Sequence, residues 1–204
     1  MKKYLWLIAI IILFVIAAFI LKLTYNFVVQ SKVNAEKAIA ILKAEFIPLK
    51  MKLYISDSTI SYQLKFYDLE ASNVAAVSGE ISGNQLFIDF YVINIKDSYL
   101  FFPHLIYSNI IPPSMGKKLS EIYEKNYDGI MFPEIYSSES MNENYLKFIS
   151  SIWKAIKSGD ISYFSSNYSG NALHLLSNIS EIDRNAVYEF VCHTSKGGIE
   201  IVKH

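Results

Sequence analysis

Cys192 and His193 stand side by side, a thiol next to an imidazole, which is the pairing from which a reactive thiolate is made. Both fall in the run Ala186–Thr194, which alternates as a strand does. Consecutive strand residues point to opposite faces, so the imidazole cannot take the proton of the thiol. Cys192, the only cysteine, therefore reads as core packing and excludes a disulfide scaffold. The four histidines, His104, His174, His193 and His204, show no ligand spacing, and no metal site is expected. Glu121 and Glu124 share a helical face with Lys117, Lys118 and Lys125, which describes a solvated surface. No phosphate-binding glycine loop, G-x-S-x-G elbow or H-E-x-x-H string occurs. No catalytic residue and no cofactor are expected. A hydrolase would require a Ser/His/Asp cluster built only by the fold, for instance around His174 or His193.

Binding chemistry has one candidate stretch, Tyr99–Pro113, with the sequence YLFFPHLIYSNIIPP. Pro103, Pro112 and Pro113 argue against a ladder or a helix, yet the stretch is densely apolar. Such a loop either tucks beneath a sheet or offers aromatic anchors to a partner. Phe101, Phe102, His104 and Tyr107 are the candidate partner-binding residues. The two readings are separable, because a phenylalanine that fills the core costs about 3–5 kcal/mol when cut to alanine.

The elements that must position these residues begin with Tyr4–Leu21, eighteen residues without a charge, thirteen of them Leu, Ile, Val or Phe. At about 1.5 Å per residue such a run crosses most of a bilayer core of about 30 Å. Its apolar residues favour insertion by about −4 to −8 kcal/mol. Tyr4 and Trp6 at one end, and Tyr25 and Phe27 at the other, suit the interfacial belt. Cleavage as a signal peptide would fall before Ala18, but Phe19-Ile20-Leu21 follows with no polar stretch, so a retained anchor is the expectation. Lys2 and Lys3 favour an N-terminus inside the cytoplasmic (inner) membrane and an extracytoplasmic, periplasmic C-terminal domain. Basic and acidic residues balance at 19 each with no basic stripe, so no nucleic acid is expected as a partner.

Beyond the anchor (1–23), residues 24–49 read as an amphipathic stalk helix stopped by Pro48, and 50–204 as the extracytoplasmic domain, with a possible subdivision near 111–115. Lys50–Ile95 reads as a four-strand antiparallel meander in which the strand from Gln85 to Ile95, apolar on both faces, is central. A short helix is expected over Met115–Tyr127. A second helix opens on a capping box, Ser140 to Glu143, and ends at Gly159. Short strands are expected over Ile161–Tyr168 and Ala172–Leu176, then a hairpin of Ala186–Thr194 with Ile199–Lys203. The fold class is α+β: an N-terminal transmembrane helix continuing into an amphipathic one, an antiparallel meander, two further helices and a C-terminal β-hairpin. The functional expectation is a single-pass, membrane-anchored, non-catalytic protein-binding domain, either a scaffold subunit or a tethered inhibitor. The alternative is a small-molecule or lipid-binding module, with Lys50–Ile95 curled around a ligand beneath the Trp153 helix.

Overall fold

Alternating residues become sheet faces in a computed structural model of the chain, which describes residues 10–26, 29, 44–56, 58–95, 97–160, 162–167, 172–179, 183 and 186–204. β1 (Glu45–Ser56), β2 (Thr59–Tyr67) and β3 (Asn73–Ser82) form an antiparallel meander. Leu49, Met51 and Leu53 of β1 are buried, while Lys50, Lys52 and Tyr54 between them reach outward. The C-terminal hairpin, β10 (Val187–His193) with β11 (Gly198–Lys203), joins β1 to give the order β11-β10-β1-β2-β3. A second sheet has the order β6-β5-β4-β9, from β4 (Leu86–Ile95), β5 (Ser98–Ser108), β6 (Lys117–Lys118) and β9 (Ala172–Ile179). A small hairpin of β7 (Glu124–Tyr127) and β8 (Ile130–Pro133) stands apart. Among the described residues the helices are α1 (residues 10–26), α2 (Glu143–Ser158) and α3 (Ser162–Asn167). The fold is α+β with antiparallel sheets.

Both sheets feed one core, which takes side chains from Phe46 to Cys192 and from either side of 111–115. Phe90 of β4 meets Phe190 of β10 with ring centroids 5.8 Å apart. β4 is central, flanked by β5 and β9, as its two apolar faces require. It does not continue the meander, however. At Gly83 (φ 138°) the chain leaves the first sheet for the second, and a Cβ there would lie 2.6 Å from Asn109 Oδ1.

Five expectations are corrected. Glu45–Leu49 is strand, not the end of a stalk helix; the rest of that helix, like residues 4–9 of the apolar run, falls largely outside the described residues. Pro48 sits where β1 slips register against β10, between Phe46 and Leu49. Pro103 sits at the matching irregularity in β5, where the pairing slips between Asp89 and Phe90, so Tyr99–Ser108 is strand and not loop. A bulge leaves a residue unpaired, and a proline without an N–H is tolerated there. Met115–Tyr127 is not a helix. A 3-10 turn (Pro113–Met115) leads into β6, with Gly116 pressed so close to β5 that a Cβ would lie 2.9 Å from the Ile106 carbonyl. Ile161–Tyr168 holds the helix α3 in place of a strand, with Phe164 buried. Finally, α2 is capped by Asn142, whose side chain accepts from the Tyr145 N–H at 3.0 Å; Glu143 pairs instead with Lys147. Gly159 closes α2 in the left-handed conformation, as its position implies (φ 71°).

A groove between the amphipathic helix and the small hairpin

The apolar stripe of α2, Tyr145, Phe148, Ile149, Ile152, Trp153 and Ile156, is buried, and its lysines line the opposite flank. The β7–β8 hairpin packs beside it, closed by Asp128 (φ 50°) and Gly129 (φ 87°). Two consecutive left-handed residues make the tight turn that matches the twist of two strands, and Asn126 Oδ1 accepts from the Gly129 N–H at 2.7 Å. Between helix and hairpin lies a groove of 540 Å³, within the range of ligand sites. Gly129, Ile130, Met131 and Trp153 give it apolar walls; Ser150 and Ser151 lie along it, with Lys147, Lys154 and Lys157 and the single carboxylate of Glu124.

Glu124 organises one end. It accepts from the Trp153 indole N–H at 2.7 Å and from the Lys157 ammonium at 2.7 and 2.8 Å, with only 9% of its side chain exposed. Lys147 is held by Glu143, whereas Lys154 has no carboxylate partner among the described residues. The groove therefore carries an excess of positive charge over an apolar wall. The Ser150 hydroxyl is buried without a hydrogen-bond partner, a state that costs about 1–3 kcal/mol unless something arrives to satisfy it.

Beneath the groove is an aromatic layer that fixes its floor. Trp153 lies 5.6 Å from Tyr123 and 5.6 Å from Phe102, and Phe102 lies 5.0 Å from Tyr136. The phenols are tied to backbone: Tyr123 donates to the Pro103 carbonyl (2.7 Å), Tyr136 to the Phe101 carbonyl (3.0 Å) and Tyr145 to the Tyr136 carbonyl (2.8 Å). Burial raises the pKa of all three, and that of the Cys192 thiol, so each stays protonated across the physiological range.

The four candidate residues of the sequence separate into two pairs. Phe101 and Phe102 are fully buried, so neither ring has surface to offer a partner; they are core residues. His104 and Tyr107 are partly exposed. His104 is the extra residue of the β5 bulge and lies 4.3 Å from Tyr91, while Tyr107 stacks on Phe87 at 5.4 Å. Burial, then the nearby Asp89 charge, raises the pKa of both Tyr91 and Tyr107. Cys192 is buried and His193 points the other way, to Glu45 (2.9 Å) and Glu200 (3.5 Å). Among the described residues no cluster of three metal-ligating side chains forms. The one sequence signal for the groove is Asp128-Gly129, directly after the expected helix Met115–Tyr127, a residue pair suited to a tight hairpin turn.

No family model matches the chain, and no curated protein or solved structure matches it either.

Proposed function

We propose that the chain is a single-pass, membrane-anchored protein whose extracytoplasmic domain binds an acidic segment of another protein in the groove between α2 and the β7–β8 hairpin. The observation that carries the anchor is α1. Every residue of it is exposed, including Leu13, Phe14, Val15, Phe19 and Leu21 at 62% or more, while the two-sheet domain fills its own core. An apolar surface of this extent marks a contact with a membrane or a protein, and the uncharged run that α1 belongs to favours the membrane. Among the described residues no helix is long and apolar enough to cross a membrane; the uncharged run of the sequence begins six residues before α1, at Tyr4.

Binding, not catalysis, is the reading the groove favours. Ser151 donates to the Phe148 carbonyl, and no base lies within hydrogen-bonding distance of Ser150 among the described residues. The interior that a small-molecule carrier would keep open is filled by Phe66, Phe90, Phe190 and their neighbours. An acidic partner segment would set its carboxylates against Lys154 and Lys147 and an apolar side chain against Ile130 and Met131. A photocrosslinker placed at Met131 (42% exposed) in intact cells tests this. One dominant protein adduct is expected, lost in Lys154→Glu and retained in Lys196→Glu; an adduct indifferent to Lys154→Glu would contradict the assignment.

A further inference from the structure

Three ends of the two large sheets have described side chains, and they are not equally protected. β6 is two residues long and both are lysine. β11 is short and carries Glu200 and Lys203. β3 differs: ten residues, NVAAVSGEIS, with no proline, no lysine and Glu80 as its only charge. Its alternation is regular from Ala75 to Ser82, and the one register shift against β2, which skips Val74, lies at its start. Apart from the Asn73 side chain on the Ala75 carbonyl (3.2 Å) and the Ser108 hydroxyl, which donates to the Ser82 carbonyl at the end of the strand, β3 makes no hydrogen bond beyond β2 to another described element. Between Ala75 and Ile81 about half of its backbone N–H and C=O groups therefore point at solvent in an unbroken row. A long, flat, unguarded edge is a template for strand addition.

We propose that β3 pairs antiparallel with β3 of a second copy of this chain, joining two five-stranded sheets into one continuous sheet about a two-fold axis at Ser78. The sequence of the edge selects that register. With Ser78 opposite itself, residues 75–81 pair with their own copies and both faces of the sheet continue unbroken. Glu80 then falls opposite Ala76 and not opposite Glu80, avoiding a like-charge pair. Ala76 is the register partner of Lys65, which is exposed and has no carboxylate partner among the described residues, so the second copy brings Glu80 into line with it. On the core side large meets small: Val77 opposes Gly79, and Ile81 opposes Ala75. Gly79 lies under the Tyr62 ring, where a Cβ would come within 2.7 Å of the ring carbon Cζ. A closed two-fold pair also consumes the edge completely, whereas head-to-tail addition would leave another one open.

Cysteine crosslinking of the full chain in native membranes tests the register. Ser78→Cys should form a disulfide-linked dimer under mild oxidation. Gln63→Cys, on β2 in register with Ser78, should not, since its copy would stand about 14 Å away across three strand spacings and a disulfide spans at most about 7 Å between Cα atoms. The native Cys192 is buried and gives the background. In detergent, sedimentation equilibrium should show a dimer for the wild type and half that protein mass for Ser78→Lys, with an unchanged melting temperature. A monomeric wild type, equal crosslinking from both positions, or a Ser78→Cys adduct with a different protein would each overturn the proposal.

Discussion

Tyr123, Tyr136 and Tyr145 show how a polar group is made to serve a core. Each ring packs among aromatic neighbours while its hydroxyl finds a carbonyl, so burial costs little as long as the phenol keeps its proton. That condition has a sign. In the unfolded chain a tyrosine ionises near pH 10 and a cysteine near 8.5, whereas burial raises the pKa of these tyrosines and of Cys192 in the folded state. The contribution to stability is therefore complete at neutral pH and lost as pH rises through and beyond those unfolded values. The urea midpoint, followed by tryptophan fluorescence, should begin to fall near pH 9 and fall more steeply above about pH 10. A midpoint flat to pH 11 would contradict the burial of these groups. Sequence alone could place Cys192 in the core, because strand alternation separates it from His193. It could not place Phe101 and Phe102, since an aromatic pair beside a proline looks the same whether it faces solvent or Tyr136 and Trp153.

At the scale of elements, periodicity was legible and its interruptions were not. β2, β4, the C-terminal hairpin and the buried stripe of α2 follow directly from period-two and period-3.6 patterns. Pro48 and Pro103 misled for one reason: proline removes a donor, and whether that ends an element or marks a bulge depends on the partner strand, which a single sequence does not name. Leu119 and Tyr123, both buried and four apart, imitate a helix while lying in a turn-rich stretch packed on the core. The start of α2 gives a sharp test of the corrected cap. Asn142→Ala should cost about 1 kcal/mol and Ser140→Ala only a few tenths, measured by denaturant unfolding. The reverse order would restore the capping box that the string Ser140–Glu143 suggests.

The apolar residues of the whole molecule fall into two sets, one buried and one exposed. The two-sheet domain closes its own core from Phe46 to Cys192, and α1 leaves Ile10 through Leu23 uncovered. In the membrane-anchored arrangement proposed above, the groove beside α2 and the open edge of β3 are surfaces of a tethered domain, where a shared membrane would raise the local concentration of partners and of second copies. The measurement that bears most directly on this account is alkaline carbonate extraction combined with protease added to intact spheroplasts. The account predicts that the full-length chain stays in the membrane pellet and that its domain is cleaved from outside. A chain recovered in the soluble fraction with its N-terminus intact, or a domain fully protected until the membrane is breached, would contradict it.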